Sequence, residues 1–345
     1  MSTSSFLKRV SERGQQRLPG DATEIDLFGL LLVLPGVVLF GSFMLFPITF
    51  LIYLSLTDAT HAGTVIGGGS SVIGLENYKQ LYSDSQFWTS FGTTWLFVGV
   101  SLVVKIALSL GLAMVLTHAR VVGKRFMRAV VIVPMGFPTV FTITVWKGLF
   151  SGARFGPLNQ LLDYYNSAIT GLVSAIDTVV VFATINAPEL LLADVPVGWL
   201  TSGRWSAFLA YVTTEVWLAY PFMVIIIVSA LQDVPAELHD AAKVDGAGYL
   251  HRFRHVTLPS IKRPVMFGSI LTAATSFQQF LVPWIFNKGG PSRQNELILV
   301  YGYREATALD EYAFGSAIMV TAIAFIGLFM WLAVRKGDLA EGVNA

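Results

Sequence analysis

Residues 237–264 read ELHDAAKVDGAGYLHRFRHVTLPSIKRP. This charged, helix-prone stretch, broken by glycines at its middle, lies between two apolar runs, residues 205–231 and 265–286. Pro235 suits a first helical turn, where a missing N–H costs nothing. Glu237 falls in that turn, where its charge favours a helix N-terminus. Leu238, Ala241, Ala242 and Val244 recur at helical spacing. Gly246 is placed to end this helix with a positive φ. Asp245 is placed to cap a second helix over 247–257, and Leu258-Pro259 to stop it before the next apolar run. The expectation is two short helices meeting at a glycine elbow between two spans. A charged loop is ordinarily only a solvated connection. This one is longer than most and carries its own caps, and the adjacent small residues Ala241 and Ala242 allow another protein's surface to approach closely. It reads as a docking element.

Composition sets the class. Of 345 residues, 54% are hydrophobic and 13% charged, against about 25% charged in soluble domains. A net charge of +1 gives no global signal for nucleic acid, and the absence of cysteine excludes thiol chemistry and disulfides. The chain reads as an all-α polytopic membrane protein. A spanning helix needs about 20 apolar residues, and six candidates meet that need: 27–56, 90–117, 129–150, 206–231, 264–286 and 313–334. A polar leader (1–26) precedes the transmembrane domain (27–334), and a tail (335–345) follows it. The first apolar run is too long for a signal-peptide core and should stay as a membrane helix, kinked by Pro35 and Pro47.

With an even number of spans, both termini share one side, which the Lys and Arg distribution identifies as cytoplasmic. Lys8, Arg9, Arg13 and Arg17 lie in the leader; Arg120, Lys124, Arg125 and Arg128 in the loop at 118–128; Lys243, Arg252, Arg254, Lys262 and Arg263 in or beside the loop at 233–260. The opposite loops are poorer in cations. Residues 167–187 are nearly long enough to span and hold one charge, Asp177. A seventh span there would reverse the asymmetry. The stretch is therefore expected to be an amphipathic surface helix within an outer-loop insertion, 157–204.

Residues 237–259 resemble the "EAA" loop of inner-membrane permeases of binding-protein-dependent ABC importers. Asp240-Ala241-Ala242 fills the first part of that pattern, Gly246 its glycine, and Thr257-Leu258-Pro259 its end, with Asp240 standing for the usual glutamate. IGLENYKQLYSDSQFW (73–88) and NKGGP (287–291) resemble the maltose-type, sugar-transporting branch. The resemblance implies a type I ABC importer permease fold in the cell inner membrane. It implies coupling to an ATPase through Glu237, Asp240, Ala241, Ala242, Asp245, Gly246, Leu258 and Pro259. The implied partners are a second homologous permease (a heterodimer), two ATP-binding subunits holding ATP and Mg, an extracytoplasmic sugar-binding protein and the lipid bilayer. The chain itself is expected to hold no cofactor and to be no enzyme. It lacks a phosphate-cradling G-x-x-x-x-G-K-[ST] sequence and a G-x-S-x-G elbow. His251 and His255, four apart, lack a clear third metal ligand.

Polar residues inside spans are functional candidates because burying them in lipid is costly. Thr272, Ser276 and Gln279 fall at i, i+4 and i+7 on one helical face, widened by Thr275 and Gln278. A sugar needs such donors and acceptors beside an apolar or aromatic face. The resemblance implies substrate contact at these three positions, where the family's best-known site uses asparagines. EVWLAYPF (215–222) resembles the family's W-L-G-x-P-[YF], which implies contacts from Leu218, Ala219 and Phe222. Pro221 and Pro283 are expected to kink their spans around a cavity. The alternative for the hydroxyl face is helix packing. Lys105 and Glu215 are the two clear intramembrane charges, open to mutual pairing, partner contact or water in the pathway. A disaccharide or oligosaccharide such as maltose, maltodextrin or trehalose fits the resemblance; another solute such as glycerol 3-phosphate is the alternative within the family. An ion-coupled secondary transporter is the rival class; it predicts an inverted repeat and leaves the docking loop unexplained.

Overall fold

The computed structural model describes residues 27–67, 69–118, 120–179 and 193–336. The leader, residues 180–187 of the apolar loop stretch and the tail beyond 336 lie outside the described residues. Two compact units divide the chain, one ending at Tyr53 and one beginning at Leu54.

Every regular element among the described residues is helical. In the first unit, α1 (Leu27–Phe40) contains Pro35 and passes through a π turn, Gly41–Leu45, into α2 (Phe46–Ser55). Then follow α3 (Ala62–Gly67), α4 (Glu76–Ser83) and the long α5 (Ser85–Thr117), whose N-cap Asp84 accepts from the Gln86 backbone. Next come α6 (Lys124–Ile132), α7 (Thr139–Leu149), α8 (Pro157–Val179) and α9 (Arg204–Gln232). The chain closes with α10 (Ala236–Val244), α11 (Tyr249–Arg252), α12 (Leu258–Phe277), α13 (Leu281–Asn287), α14 (Ile298–Ala308) and α15 (Tyr312–Lys336). Among the described residues, five helical runs are long and apolar enough to cross a membrane, and six if a bent pair counts as one span.

That bent pair stands where the sequence suggests one straight span at 129–150. α6 with a 3-10 turn (Val133–Gly136) meets α7 at 96°. The cause is PMGFP, residues 134–138. Pro138 drives Phe137 into extended backbone (ψ 143°) and Gly136 adds freedom, so the helix stops and restarts in a new direction. The fifth span also departs from its expected limits. Helix begins well before residue 264, runs through a π turn (Phe253–Thr257) and breaks at 278–280. Pro221 lies within an unbroken α9, and the break in the fifth span falls ahead of Pro283 rather than at it.

The core of the second unit forms where α5, α9 and α12 pack side by side. Phe97 meets Phe208 edge to face at 6.3 Å. Trp95 joins Phe277 at 5.3 Å and Phe329 at 5.1 Å, tying α5 to α12 and α15. In the apolar loop region, α8 starts earlier than expected, at Pro157. Asn159 fixes it by bonding Val197 in both directions and the Trp199 indole, and Asn166 pairs with both backbone groups of Ala193.

Between α13 and α14 the segment 288–297 folds into a knot of polar groups. Glu296 is fully buried, with Arg304 at 2.7 Å and Arg293 at 2.7 Å. Gly289 makes this possible: at φ +84° its ideal Cβ would lie 2.7 Å from the Glu296 Cα. Gly289→Ala should therefore cost roughly 1–3 kcal/mol of strain plus the clash. The thermal unfolding midpoint of the purified protein should fall, whereas Gly92→Ala, in open space on α5, should not lower it.

Candidate functional site

α10 ends in a two-bond reverse turn. Gly246 N–H donates to the Lys243 carbonyl at 3.0 Å and Ala247 N–H to the Ala242 carbonyl at 2.9 Å. That pattern requires left-handed backbone at the residue after the cap, and Gly246 supplies it at φ +77°. Asp245 is the C-cap of α10, not the cap of the next helix; Gly248, with extended backbone, takes that position before α11. The reason is the turn itself, which moves the second helix's start two residues beyond 247. Leu258-Pro259 does not stop the helix either. The Leu258 N–H reaches back five residues to the Phe253 carbonyl, and the wide turn admits Pro259 into the first turn of α12.

Glu237, Asp240, Ala241, Asp245, Gly246, Leu258 and Pro259 are all exposed, and Ala242 is half-buried. Lys243 lies 2.7 Å from Asp240; its hydrogen bond and charge hold that carboxyl below its ordinary pKa. The element also presents apolar side chains that its charges do not cover: Val244 is 88% exposed and Leu250 75%, with Tyr249 and Leu238 beside them in sequence. Exposed apolar side chains among charges are compatible with contact to another protein. Sequence spacing marks the alanines but not this patch.

The second cluster lies deep between α5, α9 and α12. Lys105 and Glu215, left with three possible roles by the sequence, pair with each other: Nζ to Oε1 is 2.7 Å, with both side chains buried. Ser276 completes a triangle, its Oγ 2.7 Å from Lys105 Nζ and 3.1 Å from the same Glu215 oxygen. The other carboxylate oxygen of Glu215 accepts from the Gln279 side-chain amide. Gln279 Oε1 in turn accepts from the Val282 backbone N–H at 3.3 Å, across the break between α12 and α13.

The stripe expected to face a cavity is thus divided. Thr272 and Ser276 are buried against neighbouring helices, while Thr275 and Gln278 are exposed and Gln279 is half-exposed at the break. The face turns because α12 ends at Phe277, so Gln279 no longer continues its helical register. Leu218 and Ala219 are half-buried and Phe222 is exposed; with Glu215 they recur at i+3, i+4 and i+7 along α9. Next to the break, Phe280, Trp284 and Tyr303 form an aromatic cluster with ring centroids 5.0–5.4 Å apart. The first two are four apart, a spacing that could have drawn notice in sequence; Tyr303 comes from α14, which the span count passes over.

Fold and site together define a helical membrane protein with an exposed two-helix element and a polar break in the apolar helix that follows it. The chain belongs to the family described as binding-protein-dependent transport system inner membrane component, which it matches over residues 105–336, and it is a permease subunit of an ABC-type importer. It is 26% identical to the trehalose/maltose transport system permease protein MalF of Thermococcus litoralis over 309 residues, 90% of this chain and 93% of that one. It is 27% identical to the sulfoquinovosyl glycerol transport system permease protein SmoG of Agrobacterium fabrum, over 86% of each chain. A chain from the crystal structure of a bacterial ABC transporter involved in the import of the acidic polysaccharide alginate superposes with a TM-score of 0.67 at 17% identity, covering 97% of this chain and 98% of that one. That likeness establishes the shared fold.

Proposed function

We propose that this chain is one of two similar permease subunits of a sugar importer and carries a disaccharide or oligosaccharide released to it by an extracytoplasmic binding protein. The observation that carries the sugar reading is the pair of relatives, one named for trehalose and maltose and one for a sugar glycoside, each aligned over most of its length. The break in the fifth span supports it. Thr275, Gln278 and Gln279 offer donors and acceptors, and Phe280, Trp284 and Tyr303 an aromatic face for a sugar ring.

In this reading the 236–258 element is cytoplasmic and seats against a separate ATPase subunit, which holds ATP and Mg; the permease is not itself an enzyme. Two such ATPases and a second permease complete the assembly. ATP-driven closure of the ATPases moves the element and switches the pathway from inward- to outward-facing, and the binding protein then delivers sugar.

Three measurements test this. A cysteine replacing exposed Gln294 should react with an impermeant thiol reagent on intact cells, and one replacing exposed Val122 only after permeabilisation; the opposite result inverts the topology. Gly246→Leu should leave the chain inserted but lose ATPase co-purification or sugar-stimulated hydrolysis. A side chain there is strained by about 1–2 kcal/mol and crowds the docking face. Retention of both would remove the coupling role. Gln279→Ala should cost about 1–3 kcal/mol for an unmet hydrogen bond, roughly five- to 150-fold in apparent affinity for sugar uptake. Basal ATP hydrolysis should persist. Unchanged affinity and rate would make this face a packing surface.

A further inference from the structure

The Lys105–Glu215 pair does more than join two helices. A buried ion pair gains little net stability over apolar residues of the same size, because both charges are taken out of water. An ion pair buried inside a membrane span is costly to place there and marks a candidate for a task that an apolar pair cannot perform. The geometry identifies one. Lys105 and Ser276 occupy a single oxygen of Glu215, leaving the other for the Gln279 amide alone. Gln279 sits where helical backbone has ended, so its own helix does not fix its direction. Two bonds do: the Glu215 carboxylate holds its nitrogen, and the Val282 N–H holds its oxygen. Without the carboxylate, the side chain loses one of the two anchors that aim it.

We propose that Lys105 and Glu215 are positioning residues for the substrate site: Lys105 fixes the Glu215 carboxylate, and the carboxylate fixes Gln279 beside exposed Thr275 and Gln278. The pair acts through Gln279 and touches no substrate itself. This rests on the sugar-import reading above. It adds that the affinity of the site is set from a charged pair one layer behind it.

The test uses the assembled transporter in proteoliposomes, with maltose and trehalose as probes. Lys105→Met/Glu215→Leu removes both charges at similar volume and suits a lipid-buried site, so insertion, ATPase co-purification and basal hydrolysis should be unchanged. The KM for uptake should rise roughly five- to 150-fold, the range of one lost polar bond, with the maximal rate within about twofold. Adding Gln279→Ala should raise KM no further, because the pair acts through that residue. Lys105→Met/Glu215→Gln keeps a carbonyl acceptor for the Gln279 amide and should restore most of the affinity.

An unchanged KM in the apolar pair variant, or additivity with Gln279→Ala, overturns the proposal. A second readout needs no sugar. Hydrogen exchange across 278–284 should quicken in the apolar pair variant as Gln279 releases the Val282 amide, and return toward the wild-type rate in the Lys105→Met/Glu215→Gln variant. Unchanged exchange overturns positioning even if transport is impaired. Wild-type protein that takes up neither sugar, yet shows the exchange difference, defeats the sugar reading and leaves the positioning role standing.

Discussion

A chain that crosses lipid must satisfy its backbone donors and acceptors from within, because hydrocarbon offers none. Two departures from regular helix among the described residues are legible as answers to that demand. Phe46 N–H reaches back to the Gly41 carbonyl immediately before Pro47, and Leu258 N–H to the Phe253 carbonyl immediately before Pro259. In both places a wider turn keeps the last donor bonded and makes room for the ring. At 278–280 the helix closes in a turn: the Gln278 N–H still reaches the Ala274 carbonyl and the Gln279 N–H the Ser276 carbonyl, both at 3.2 Å. The Gln279 side chain then takes the Val282 N–H, a first-turn donor of α13, while its own amide is held by Glu215.

Glu215 could not stand there alone. A carboxylate in a low-dielectric interior needs a cation or several donors; it has Lys105, Ser276 and Gln279. These come from α5, α9, α12 and the break, so the three central helices meet at one polar cluster. One turn further along α5, Ser109 donates to the Tyr220 carbonyl at 3.1 Å, a second polar stitch between the same two helices. Around these stitches the contacts are apolar and aromatic. Phe97 against Phe208 and Trp95 against Phe277 fill the space between the helices and carry their packing.

Much of this was legible in the sequence, and the reason differs by element. Apolar length marked the spans, since a membrane helix leaves a signal in composition alone. The 236–258 element was legible because Gly246 and Pro259 act through local backbone geometry. The same kind of signal was present in PMGFP, where two prolines and a glycine produce the 96° bend, but an apolar window averages over it. What sequence spacing misplaced was the direction of the polar stripe. Helical periodicity assigns Thr272, Ser276 and Gln279 to one face only while the helix lasts, and it ends at Phe277. The partners that give these residues meaning are remote in sequence: Ser276 and Glu215 are 61 residues apart, Lys105 and Glu215 are 110. Their place inside apolar spans permitted that pair without selecting it.

The docking element and the polar cluster are built on the same two rods. α9 carries Glu215 and ends at Gln232, four residues before α10 begins. α12 carries Ser276 and is entered directly from the element through the π turn. At about 1.5 Å per residue, α12 spans some 30 Å, so its two ends lie near opposite sides of a bilayer core. A helix of that length, packed along most of its course, conveys a shift of one end to the other more readily than it absorbs it. The 236–258 element connects the adjacent ends of α9 and α12. The Glu215–Ser276 and Glu215–Gln279 bonds are the polar links across those helices further along. The 236–258 element and the polar cluster thus share α9 and α12, joined at one end through the chain between them and further along through the Glu215–Ser276 bond.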